Sequence, residues 1–200
     1  LLIISDVAYA PLTYSGNSLS ILSIDGAKDC SIEIHSMSKG FNMAGWRMAW
    51  VCGNSLAVSA FASVKDNADG GQFAAIQKAA IQALKEWKNI TIFIKNKYIR
   101  RLKGMVRILA SVGFDVEIPL GGFYLYVKIP KSIKNGRSFN CAEEFSQWLL
   151  KEKLIITIPW DDVDTYVRFS GTFVAQNGEE NEERVLNEFE KRLSSSEFIF

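Results

Sequence analysis

The chain has 200 residues, of which 48% are hydrophobic and 22% charged, and it carries a formal net charge of +1. That composition is globular, at a length that can bury a core, and its near-neutral balance gives no electrostatic case for nucleic acid or an anionic membrane as partner. No apolar run approaches the ~20 residues of a membrane-spanning helix, while three scattered cysteines and one histidine argue against a disulfide framework and a structural metal site and fit a reducing, cytoplasmic setting.

Residues 1–5 are apolar and read as a buried strand that ends where Asp6 begins a loop. No basic flank precedes them, so they do not resemble a leader peptide. They read as the middle of a sheet, and the chain as the C-terminal part of a longer protein. Residues 8–26, rich in Tyr, Ser, Gly and Asn, form a connection. Residues 30–35 and 47–52 are two more short apolar strands, the latter bounded by Gly45 and Gly53. Continuous apolar strands with long connections suit an α/β sheet covered on both faces.

Phe73, Ile76, Ala80, Leu84 and Trp87 then fall on one helical face, with Asp69 as a candidate cap. Ile94, Tyr98, Leu102, Met105 and Leu109 continue the period in a longer helix that Gly113 ends. Lys95, Lys97, Arg100, Arg101 and Lys103 occupy its other face, which reads as solvated surface. Phe114, Val116 and Ile118 alternate as on a half-buried strand. Strands at 123–129, 154–158 and 166–169, a helix at 142–150 and a final helix at 180–193 complete an α+β module. The boundary between the sheet domain and this module lies near residue 90, giving domains 1–89 and 90–200.

One constellation carries chemistry. Lys39 follows Ser36-Met37-Ser38, stands eight residues before Arg47 and lies 33 residues after Asp6. A free lysine, with a pKa near ~10.4, is a poor nucleophile at neutral pH. An amine that forms an imine with an aldehyde cofactor escapes that limit and can later act as a base. Arg47 offers a planar fork for a phosphate, and Ser36 and Ser38 offer hydroxyl donors beside the lysine. Asp6, at a strand end where open α/β sheets place ligand contacts, can pair with a protonated pyridine nitrogen. Tyr9 can donate to the ring oxygen. His35 reads as a packed residue rather than an acid–base group.

Ser5-Asp6-Val7-Ala8-Tyr9, Ser36-Met37-Ser38-Lys39 and Gly45-Trp46-Arg47 resemble the fold-type-I class I/II aminotransferases, a family dependent on pyridoxal 5'-phosphate. The stretches His35-Ser36-Met37-Ser38-Lys39, Lys65-Asp66-Asn67, Gly71-Gln72-Phe73, Phe123-Tyr124-Leu125-Tyr126-Val127 and Pro159-Trp160-Asp161-Asp162 are similar to its LL-diaminopimelate group. The likeness covers nearly all of the chain. It departs at Gly70, where a serine is expected.

The resemblance implies an α/β, fold-type-I architecture: part of a large, mostly parallel sheet domain (1–89), then a small α+β C-terminal domain (90–200) opened by an interdomain helix. It implies that Lys39 carries the cofactor and moves the substrate proton, and that Asp6 and Tyr9 hold the ring. Ser36, Ser38 and Arg47 would hold the phosphate, Arg168 the substrate carboxylate, and Asn67 would reach toward a partner subunit. The expected substrates are an amino acid, an LL-diaminopimelate-like dicarboxylate, and 2-oxoglutarate, in a homodimer and in lysine biosynthesis. A lyase of the same fold is the alternative within the cofactor class. A non-catalytic fragment, or the effector-sensing half of a regulator, is the alternative outside it. The chain alone is expected to expose apolar sheet surface.

Overall fold

The computed structural model describes residues 1–16, 18–175 and 179–200. Residue 17 of the predicted connection lies outside them. Packing divides the chain into two compact units, Leu1–Asn96 and Lys97–Phe200, and the division falls inside one long helix.

The first unit is built on three strands, β1 (Ile3–Asp6), β2 (Ser31–Ser36) and β3 (Ala49–Gly53). β2 is central, parallel to β1 and antiparallel to β3. The described sheet is therefore mixed. β1 is a strand as expected, but it is not buried: Leu2, Ile3 and Ile4 are all exposed. An apolar run specifies a strand but not which of its faces are covered. β1 pairs only through β2 in the described sheet, and no described helix packs over it enough to bury it.

Three helices follow, α1 (Ser55–Ala68), α2 (Ala74–Lys85) and α3 (Trp87–Ser111). The sequence reading missed α1. None of its apolar residues is buried and Leu56, Phe61 and Val64 are exposed, so no clean buried stripe marks it. Its start is nevertheless signalled, because the Asn54 side chain accepts from Ala57 N at 3.0 Å. Asp69 caps the end of α1 rather than the start of α2: its backbone N–H bonds Lys65 O and its carboxylate holds the Lys65 ammonium. The period over α3 is as read, with Ile94, Tyr98, Leu102, Met105 and Leu109 all buried.

The second unit holds β4 (Tyr124–Lys128), β5 (Ser132–Ile133), α4 (Ala142–Lys153), β6 (Ile158–Trp160), β7 (Tyr166–Ser170), α5 (Glu179–Ser194) and β8 (Phe198–Ile199). β4, β7 and β6 form an antiparallel sheet with β7 central, and β5 pairs with β8. Alternation sorts the sheet's faces. Leu125, Val127, Val167 and Phe169 are buried, whereas Tyr124, Tyr126, Tyr166 and Arg168 lie on the other face.

Three expectations fail in this unit. Residues 114–118 form no strand, because Phe114 is used as an anchor among Phe145, Phe198 and Phe200 rather than in a ladder. Residues 154–157 form no strand either: Leu154 takes a left-handed φ of 54° to close α4, and the strand begins only at Ile158. The basic face of α3 is not wholly solvated. Arg101 is 5% exposed and its Nε donates to Glu182 at 2.7 Å, while Arg100 reaches the other oxygen of Glu182 at 2.8 Å. Gly104 lets α5 approach here, since a Cβ would sit 2.5 Å from Leu186.

Burial would raise the pKa of Glu182, but hydrogen bonds and charge from Arg100 and Arg101 outweigh it and hold the carboxyl below its ordinary 4.5. A depressed folded pKa gives stability that is present above the unfolded value and lost as pH falls through the folded one. Glu182→Gln should therefore flatten part of the acid limb of a stability–pH profile, measured by urea unfolding from neutral pH down to about pH 3. An unchanged acid limb would refute the assignment.

Candidate active site

Strand register collects the predicted residues of the first unit. Asp6 ends β1 opposite Ile34 of β2, two residues before Ser36, and Ser36 ends β2 opposite Ala49, the first residue of β3. Asp6, Ser36 and the turn carrying Arg47 thus stand at one end of the sheet.

The lysine turn is built from buried pegs and outward groups. Met37 (0% exposed) and Phe41 (8%) pack with Ala80 of α2, with Met43, Met48 and Trp50 around them. Met37 N donates to Met48 O at 3.0 Å, and Asn42 N to Lys39 O at 3.3 Å. Ser36, just before the first peg, and Ser38 and Lys39, between the two, remain partly exposed. Gly40 is buried where a Cβ would meet the Pro11 ring at 2.5 Å, so only glycine admits the short 3-10 turn Ala10–Leu12 that follows Tyr9. That approach sets the Lys39 Nζ 5.6 Å from the centre of the Tyr9 ring. Ser36 Oγ accepts from Ser38 N at 3.1 Å, which leaves its own proton to donate elsewhere.

Asp6 is exposed, and its Oδ1 accepts from Ala8 N at 3.1 Å, an Asx turn that fixes the carboxylate at the strand end. Arg47 corrects the sequence reading: it precedes β3 instead of lying on it. It adopts a left-handed φ of 54° at the end of the short turn Ala44–Trp46, and its Nη1 donates to Ala44 O at 2.9 Å. Asn67 lies exposed on α1, and its amide donates to Ser63 O one turn back.

Glu33, His35 and Cys52 place three potential ligand atoms within 4.8 Å of one another. Sequence spacing did not suggest this trio, because Cys52 joins it across the β2–β3 ladder, opposite Glu33. Glu33 is 2% exposed, with Ser20 Oγ donating to one oxygen at 2.7 Å and His35 Nε2 3.0 Å from the other. Burial raises its pKa, yet the bonds from Ser20, the Ile21 backbone and His35 leave it lowered. Burial, then the Glu33 charge, pushes the Cys52 thiol up. His35 also stacks on Trp50, centroids 5.0 Å apart, so it is a packed residue as expected. These bonds satisfy the carboxylate without an ion.

In the second unit, Arg168 sits mid-strand on β7, paired with Tyr126 of β4 and Ile158 of β6. Its guanidinium lies 4.2 Å from the Tyr124 ring centre and 5.9 Å from that of Trp160. Its Nε is buried and has no hydrogen-bond partner among the described residues. A buried donor left open costs about 1–3 kcal/mol unless something accepts from it. The aromatic flanks were not singled out by the sequence reading, although the alternation of β4 placed Tyr124 on the same face.

Comparison with known proteins identifies the family. Residues 1–185 match the family described as aminotransferase class I and II. The LL-diaminopimelate aminotransferase of Methanococcus maripaludis is 52% identical over the whole chain, which covers 49% of that protein. That of Methanocaldococcus jannaschii is 50% identical, with the same coverage. The chain thus spans about half the length of these relatives. Among solved structures, an aminotransferase from Staphylococcus aureus superposes with a TM-score of 0.81 at 26% identity, over 96% of this chain and 50% of that one. The predicted fold class, α/β of the fold-type-I pyridoxal-phosphate transferases, is borne out. The chain belongs to the class I and II aminotransferase family.

Proposed function

We propose that this chain forms the lysine-bearing part of a pyridoxal 5'-phosphate-dependent aminotransferase. The amino donor would be LL-diaminopimelate or a similar dicarboxylate and the acceptor 2-oxoglutarate, in lysine biosynthesis. The observation that carries this reading is the convergence of Asp6, Tyr9, Ser36, Ser38, Lys39 and the Arg47 turn at one end of the sheet. The substrate class is supported by the names of the relatives at 52% and 50% identity.

The donor set fits the cofactor. Asp6 suits a pyridinium nitrogen, Tyr9 a ring hydroxyl, and the Ser36 and Ser38 hydroxyls an anionic tail. The Arg47 guanidinium, now bonded to its own turn, has further donors for a phosphate. When bound, the cofactor supplies an electron sink for the substrate carbon. The chain's own part is to hold the ring and tail, and to carry a proton on Lys39 Nζ to and from the reacting carbon. Arg168 would take the substrate α-carboxylate with its guanidinium, whose Nε is buried without a partner among the described residues. Asn67 would face a partner subunit. Residues 1–89 would be the C-terminal part of the large domain and 90–200 the small one, in a cytoplasmic homodimer.

Titrating the full-length protein with pyridoxal 5'-phosphate tests the reading. Asp6→Ala and Arg47→Met should each weaken binding by about tenfold to a hundredfold, as loss of a charge-assisted contact does. Unchanged affinity in both would sink it. Product analysis with and without 2-oxoglutarate separates transamination from lyase action, and absence of any turnover would favour a non-catalytic role.

A further inference from the structure

We infer that Arg101 is a positioning residue: with Glu182 it fixes the turn after β7 and so holds Arg168 where a substrate carboxylate would meet it. This rests on the reading of Arg168 given above. Arg101 Nη1 donates to Gly171 O at 3.1 Å and to Phe173 O at 2.7 Å, and its guanidinium lies 4.4 Å from the Phe173 ring centre. Its Nε donates to Glu182 Oε1 at 2.7 Å. Three separate stretches of chain, on α3, on α5 and after β7, are thereby joined through one planar group.

Stability alone does not account for a buried guanidinium here. Replacing a buried ion pair by apolar residues of similar volume is often neutral or stabilising. An apolar side chain could fill the space, but it could not satisfy two carbonyls and a carboxylate at once. The fixed fork of arginine can. Gly171 is thus tied twice, because its N–H also donates to Phe123 O at 2.8 Å. Arg168 lies only three residues upstream. Its Nε stays buried and unpaired among the described residues, with the guanidinium beside Tyr124 and Trp160, an arrangement that depends on β7 being held in one place. A looser strand end would let that donor find water instead.

The test compares Arg101→Met, Arg101→Met/Glu182→Leu and Arg168→Lys in the full-length enzyme, by steady-state kinetics, cofactor titration and thermal melting. Arg101→Met should raise KM for the amino acid about tenfold to a hundredfold, the usual cost of misplacing a binding group by ~1 Å. kcat should change less, and cofactor affinity should not change. The double variant removes both charges and should regain melting temperature, yet keep the raised KM because the carbonyls remain unheld. If KM returns to the parent value together with stability, Arg101 has only a structural role and the inference is overturned. If Arg168→Lys leaves KM at the parent value while Arg101→Met raises it, the carboxylate reading has failed instead, and the inference falls with it.

Discussion

Lys39→Ala is expected to abolish the visible absorption that pyridoxal 5'-phosphate acquires on the full-length protein, and to lower turnover on the order of 10⁴-fold, the upper range for loss of a positioned acid–base group. The fold should survive. The side chains that pin the lysine turn are Met37 and Phe41, and both stay in place. Lys39 itself lies partly exposed between them, so its truncation leaves no buried cavity. Circular dichroism should therefore match the parent. A small soluble amine should restore part of the rate, because the turn and its hydroxyls still shape the site. Lys65→Ala is the control: that ammonium is ion-paired with Asp69 at the end of α1 and should be dispensable. Absorption that persists in Lys39→Ala, or vanishes equally in Lys65→Ala, would refute the assignment.

Phe145→Ala should cost about 3–5 kcal/mol, the range for deleting a buried phenyl ring. Phe145 is 0% exposed on α4, with ring centres of Phe139 at 5.1 Å, Trp148 at 6.0 Å, and Phe114 and Phe198 at 6.1 Å. Aromatic pairs add about 0.5–1.5 kcal/mol each beyond area burial. These neighbours come from the segment after α3, the segment before α4, α4 itself and the strand β8, so one truncation loosens four stretches of chain. Urea unfolding followed by near-ultraviolet circular dichroism should show a lower midpoint with an unchanged slope. A loss below 1 kcal/mol would mean that the site collapses around the cavity.

The candidate site was proposed from residue type: Asp6, Tyr9, Ser36, Ser38, Lys39 and Arg47 carry the groups that the proposed chemistry asks for, and Asp6, Ser36 and the Arg47 turn stand at one end of the sheet. The sequence marked the segments they stand on, though not that Arg47 precedes its strand in a left-handed turn. Capping misled at Asp69, since one carboxylate serves the end of one helix as readily as the start of the next. The alternation at 114–118 and the apolar run at 154–158 misled because a strand needs a partner ladder, and periodicity does not say whether one exists.

Residue type and spacing by themselves determined the family and the helical period of α3, and singled out the lysine and its proposed anchors, since residue chemistry and local periodicity are written in the chain itself. Tertiary structure alone decided that Arg101 is buried on Glu182 some 80 residues away and that Cys52 meets Glu33 across a ladder. It alone decided that the Arg168 Nε is buried without a hydrogen-bond partner among the described residues. Those pairings join segments far apart in the chain, and local periodicity carries no information about which distant surfaces meet.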